Sequence, residues 1–141
     1  LRIRNLQTHS VKPAGRIETD SDVSIEITSA FAKGRISHAR LERALLHIER
    51  HIAGHISLQD LADAAALSRY HFCRSFHRTT GRTPLQYILE RRVAAAKVHL
   101  LNPDFQLAHI AFLCGFASAS HFATSFKAVT GMTSCQYRRT L

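Results

Sequence analysis

Cysteine is scarce in this chain: Cys73, Cys114 and Cys135 are the only three among 141 residues, and no two are closely spaced. That excludes a disulfide framework and a cysteine-built zinc module, both of which need paired, patterned cysteines. A reducing cytosol fits this usage. No run approaches the ~18 apolar residues of a membrane-spanning helix, and Leu1 opens no signal-peptide pattern. A first residue other than Met is what a fragment of a longer chain would show. Acid is also scarce, with ten Asp and Glu against nineteen Lys and Arg, a formal charge of +9 and a pI near 10.3. Such a surplus favours polyanionic partners, because each phosphate neutralised by a cationic side chain releases counterions.

The surplus is uneven. Residues 1–34 carry five basic and four acidic side chains, whereas residues 35–141 carry fourteen and six. The partner-binding surface is therefore expected in the second block. Residues 1–36 read as a linker or the remnant of an upstream region, a polar stretch punctuated by Pro13, Gly15 and Gly34. Within it only Val23–Ile27 alternates as a strand would. From Ser37 a domain is expected through residue 141.

Its helices are legible from periodicity and caps. Leu41, Leu45, Ile48 and Ile52 mark one helix face, with Gly54 as its stop. Ser57 caps a second helix with an apolar stripe at Leu58, Leu61, Ala62 and Ala65, and Ser68 caps a third carrying Phe72 and Phe76 and ending at Gly81. Thr83-Pro84-Leu85-Gln86 has Thr at the cap, Pro at the first helical position and Gln at the third, a capping box. The helix it opens is expected to run from 84 to about 101, before Asn102-Pro103, and to be about 25 Å long at 1.5 Å per residue.

One feature organises the rest. His71-Phe72-Cys73-Arg74-Ser75-Phe76 is echoed by His121-Phe122-Ala123-Thr124-Ser125-Phe126, and segments 71–87 and 121–137 share nine of seventeen residues. Upstream, Leu61-Ala62 matches Ile110-Ala111 at an offset of 49 rather than 50, which puts one extra residue near Gly115-Phe116-Ala117. Two helix-turn-helix units follow, at about 57–81 and 106–131, with a final helix at about 134–140. The expected fold is all-α, with about seven helices: two helix-turn-helix subdomains joined by a central linker helix.

These residues resemble the AraC/XylS family of transcription regulators. The resemblance covers about residues 38–141 and rests on the duplicated unit and the Thr83-Pro84-x-Gln86-Tyr87 start. Gly115-Phe116, Ser118, His121-Phe122, Phe126-Lys127 and Thr130-Gly131-Met132-Thr133 with Gln136-Tyr137-Arg138-Arg139 add to it. Ser134 stands where the family usually has proline, a change expected to leave the cap intact. The resemblance implies sequence-specific binding of double-stranded DNA, two successive major-groove segments read by one chain, and an activator that contacts RNA polymerase. A bridging helix of about 25 Å is compatible with grooves about 34 Å apart.

Helical geometry then sorts the side chains. On the first recognition helix Phe72, Phe76 and Thr79 share one face, and Tyr70, Cys73, Arg74, His77 and Arg78 the other. Arg74 is the expected base reader, since a guanidinium can bond guanine O6 and N7 together; Tyr70 and Cys73 join it by the resemblance as well. Arg69 and Arg78 are expected on phosphates, with Ser68, Ser118, Thr83 and Lys127. The second helix offers Ala119, Ser120, Ala123 and Thr124 to the bases, small side chains that make few directional bonds. The first unit is therefore expected to discriminate and the second to position.

Competing chemistry is thin. His47, His51 and His55 are spaced four apart, but the zinc-protease pattern needs Glu directly after the first His, and here Glu49 comes second. Cys73 lies near Arg69 and Arg74, a setting that favours thiolate, yet a small groove-facing residue is the simpler role. The expectation is a cytoplasmic, nucleoid-associated regulator, not an enzyme, without cofactor, metal or membrane. A small-molecule effector is expected only through a region absent from this sequence. The alternative is a helical protein-interaction or ligand-sensing adaptor, which would bind DNA without sequence preference or steep salt dependence.

Overall fold

The computed structural model describes residues 34–141; the strand-like Val23–Ile27 and most of the expected linker lie outside the described residues. Seven helices follow in order: α1 (His38–Arg50), α2 (Leu58–Ala64), α3 (Arg69–Thr80), α4 (Pro84–His99), α5 (Leu107–Leu113), α6 (Ala119–Thr130) and α7 (Ser134–Arg139). There is no strand among the described residues, so the all-α expectation holds. α4 ends at His99, and a turn carries the chain through Asn102-Pro103.

The chain divides into two compact units. The first takes α1, α2, α3 and Pro84; the second takes the turn 51–56, the rest of α4, and α5 to α7. In the first, Leu41, Ala44, Leu45 and Ile48 of α1 are buried, as are Leu61, Ala62 and Ala65, and Phe72 and Phe76 of α3. The four α1 positions follow the helical repeat, so the whole stripe turns inward. α1 also closes the end of α2. That helix has no basic residue in its last turn, and its terminal carbonyls are met instead by α1 arginines: Arg43 Nε donates to Ala64 O at 2.9 Å and Arg40 Nη1 to Ala66 O at 3.1 Å.

The second core gathers Val93, Ala96 and Leu100 of α4 with Ile110, Ala111, Cys114 and Phe116 and with Phe122 and Phe126 of α6. Phe122 sits 5.2 Å from Phe116 and 5.7 Å from Phe126, and Phe126 5.5 Å from Tyr137, in tilted and edge-on ring contacts. Arg138 reaches back from α7 to the carbonyls of Leu100, Asn102 and Phe105, the last at 2.8 Å. It thereby satisfies the turn that ends α4.

The turns of the two helix-turn-helix units are built alike, bond for bond. Ala65 N–H donates to Leu61 O as Cys114 N–H does to Ile110 O, and Leu67 N–H to Ala62 O as Phe116 N–H does to Ala111 O. This is the six-residue closure of a left-handed helix stop. Ala66 (φ 56°) and Gly115 (φ 83°) occupy the same left-handed position. Ser68 and Ser118 then cap α3 and α6 by accepting from His71 N and His121 N at 3.2 and 3.0 Å. At the far ends, the Thr80 and Thr130 hydroxyls each lie 2.8 Å from the Phe carbonyl one turn back. The box at α7 survives Ser134: Gln136 N–H donates to Thr133 Oγ1 at 3.1 Å, and Gln136 Oε1 accepts from Thr133 N–H at 2.9 Å.

Candidate nucleic-acid interface

The turn chemistry that starts α3 and α6 leaves each with one buried face and one open face. On α3, Phe72, Ser75, Phe76 and Thr80 are buried, while Arg69, Tyr70, His71, Arg74, His77 and Arg78 are exposed and Cys73 is half-buried. Ser75 turns inward because its hydroxyl donates to His71 O. Two of the expected base readers are joined: Arg74 Nη1 donates to Tyr70 Oη at 2.8 Å, with its guanidinium carbon 5.7 Å from the Tyr70 ring centroid. Nη1 is thus engaged by the Tyr70 hydroxyl, while Nε and Nη2 of this exposed side chain are the pair of donors that a guanine could take. The sequence pattern did not identify this pairing, although a spacing of four on a helix allows it. Between Asp63 and Glu90 the chain has no acidic residue, so no acid neighbours α3 in sequence.

On α6, Phe122, Ser125 and Phe126 are buried, and Ala119, Ser120, Ala123, Thr124 and Lys127 are all exposed. Each is the counterpart, fifty positions on, of a residue of α3. Thus Arg69, Arg74, Arg78 and Arg82 correspond to Ala119, Thr124, Ala128 and Met132. The open face survives the duplication and the arginines do not. Ser68 and Ser118 are committed to the caps, and of the expected phosphate residues only Arg69, Arg78 and Lys127 are exposed cations.

Two arrays of this kind, each a short helix, a left-handed turn and a longer helix with an open face, are a helix-turn-helix pair. The family model described as a helix-turn-helix domain matches residues 61–140. A solved regulator from Chromobacterium violaceum, described as an AraC-type DNA-binding domain-containing protein, superposes with a TM-score of 0.66 at 28% identity, covering 71% of this chain and 89% of that one. The chain belongs to the AraC/XylS family. Its fold is the two-unit fold of AraC-type DNA-binding domains. The DNA-binding domain of AdpA, solved in complex with a target DNA, is similar at a TM-score of 0.65 and 28% identity over 72% of this chain and 91% of that one. The transcriptional activator RhaS of Escherichia fergusonii is 36% identical over 117 residues, which is 83% of this chain and 42% of that protein. The chain thus spans less than half the length of this AraC/XylS relative.

Other candidate residues are placed elsewhere. His47 lies on α1, His51 in the turn after it and His55 beyond Gly54, so no helix face carries all three. Cys114 is buried, and burial pushes its thiol from the usual 9.0 up to about 11, against a weaker opposing pull from Arg92. The unfolded chain ionises this thiol first, so the second unit loses stability as pH rises from 9.0 towards about 11. Arg92 itself is a structural arginine, donating to Ile52 O at 3.0 Å and Gly54 O at 2.7 Å; its burial lowers its pKa from the usual value.

Proposed function

We propose that this chain is a sequence-specific double-stranded DNA-binding transcription regulator, an activator, which reads two successive major-groove segments with α3 and α6. The observation that carries this reading is the open face of α3: Tyr70 and Arg74 joined on the outside of a recognition helix, flanked by Arg69 and Arg78, with no acid near in sequence. Base contacts fall to Tyr70, Cys73 and Arg74, and more weakly to Ala119, Ser120, Ala123 and Thr124. Phosphates fall to Arg69, Arg78 and Lys127, with Thr83 and the cap hydroxyls of Ser68 and Ser118. The name of RhaS as an activator supports that sense of regulation, and an activator has RNA polymerase as its protein partner. The chain works as a binder and not as an enzyme, in the cytoplasm and on the nucleoid.

Selection of bound duplexes from a random pool tests this directly. The expected motif covers about two helical turns, with affinity falling steeply with salt. A flat motif would mean an adaptor. The cysteines give a second test. Alkylation of the free protein should reach exposed Cys135 first, half-buried Cys73 next and buried Cys114 only on unfolding. Bound specific DNA should slow labelling at Cys73 severalfold and leave Cys135 unchanged. Equal protection of both would place the duplex elsewhere.

A further inference from the structure

The chain that leads into the first unit runs along α3 itself. Ile36 is only 7% exposed, and its N–H donates to Thr79 Oγ1 at 3.0 Å. Two residues earlier, Gly34 has φ 80° and lies against Arg78: a Cβ placed on it would stand 2.1 Å from Arg78 Nη1. Gly34, Tyr70, His71, Arg74, Ser75 and Arg78 wall one shallow cleft, and none of them is acidic. Arg78 and His71 are turned about 80–100° around the helix from Tyr70, at 100° per residue. That is the flank of α3, beside the groove-facing side chains. A helix lying in a major groove has the sugar-phosphate backbone along its flanks, so an arginine lining a cleft there meets phosphate rather than base edges.

We propose that the lead-in Gly34–Ile36 is part of the DNA-binding surface, closing a cleft in which Arg78, beside Arg74 and His71, holds one backbone phosphate. This rests on the DNA-binding reading above and extends it. Gly34 is then a positioning residue, which needs no side chain because any Cβ would displace the Arg78 guanidinium. The atom it would meet is the free end of a flexible side chain, so the displacement costs the fold little and the phosphate contact much.

The experiment is a double-mutant cycle on DNA affinity against salt, with Gly34→Ala, Arg78→Ala and both, each on its selected site. Gly34→Ala should weaken binding by roughly the factor that Arg78→Ala does, flatten the slope of log K against log salt by about 0.9, the value of one phosphate, and add nothing to Arg78→Ala. Gly81→Ala is the control for backbone strain, because Gly81 has φ 76° with open space around it; it should lower Tm without changing the slope. A Gly34→Ala protein with unchanged slope, or one whose loss adds in full to that of Arg78→Ala, overturns the proposal. Arg74→Ala measured alongside separates the two readings: if it too leaves DNA binding untouched, the DNA-binding reading has failed rather than the cleft.

Discussion

Arg74→Ala is expected to weaken binding to the preferred site by about 1–3 kcal/mol, roughly 5- to 150-fold, and to relax one base position of the motif. A bidentate guanidinium contact accounts for that size, because the guanine acceptors left behind lose both partners. The Tyr70 hydroxyl should contribute through Arg74. With Arg74 Nη1 held at 2.8 Å, the long side chain gives up less rotamer freedom on binding than a free arginine would. Tyr70→Phe keeps the ring and removes the hydrogen bond, and should therefore weaken discrimination at the same base position by a smaller factor. Thr124→Ala, at the matching position of α6, should cost well under 1 kcal/mol, since a threonine makes a methyl contact or one hydrogen bond at most. Affinities from footprint titration that place Thr124→Ala above Arg74→Ala would refute this division between the units.

The duplication explains how much of this was legible. The nine residues shared by segments 71–87 and 121–137 include the Phe pair of each core, the buried Ser75 and Ser125, and the Thr80 and Thr130 hydroxyls that close each helix. They are the residues that build the unit: the Phe pairs recur at helical spacing, and the Thr hydroxyls bond one turn back. Local pattern therefore revealed them. The differing positions include Cys73 against Ala123, Arg74 against Thr124, His77 against Lys127 and Arg78 against Ala128. Apart from half-buried Cys73 all of these are exposed. Packing does not constrain them, so they are free to differ as two different half-sites would require. Within α3 and α6, identity between the copies falls mainly on the scaffold, and difference mainly on the open face.

What pattern could not reveal were partnerships over long stretches of chain. A net charge of +9 does not say which cations are available to a ligand. The fold engages Arg40 and Arg43 at the end of α2, Arg92 on the carbonyls of Ile52 and Gly54, and Arg138 on the turn after α4. These are bonds across 21 to 40 residues. Arginine suits such work because its planar fork can serve two carbonyls at once without deprotonating. The lead-in at Gly34 belongs to the same class: the sequence marks it as loop punctuation, and only its position against Arg78, 44 residues on, gives it a role.

The largest effect on stability is expected at Gly115. It shares the left-handed conformation of Ala66, so a side chain there costs about 1–2 kcal/mol on backbone grounds alone. A Cβ on Gly115 would also stand 2.4 Å from Ile52 O and 3.1 Å from the Ala53 carbonyl carbon. That carbonyl cannot simply retreat, because Arg92 Nε holds Ile52 O at 3.0 Å, and the same Cβ would lie 3.0 Å from that Nε. Relieving such overpacking adds about 1–3 kcal/mol. Gly115→Ala should therefore destabilise the second unit by about 2–5 kcal/mol, against about 1–2 kcal/mol for Gly131→Ala, where φ is 84° but no atom lies within 4 Å of the added carbon. Ala66→Gly is the reciprocal change, removing a strained Cβ from an exposed position, and should be neutral or stabilising by up to about 1 kcal/mol once the added chain entropy is offset. Urea midpoints of the three variants measure all of this. Equal shifts for Gly115→Ala and Gly131→Ala would mean that the turn after α1 does not press on the second helix-turn-helix, and that the glycine there answers to backbone conformation alone.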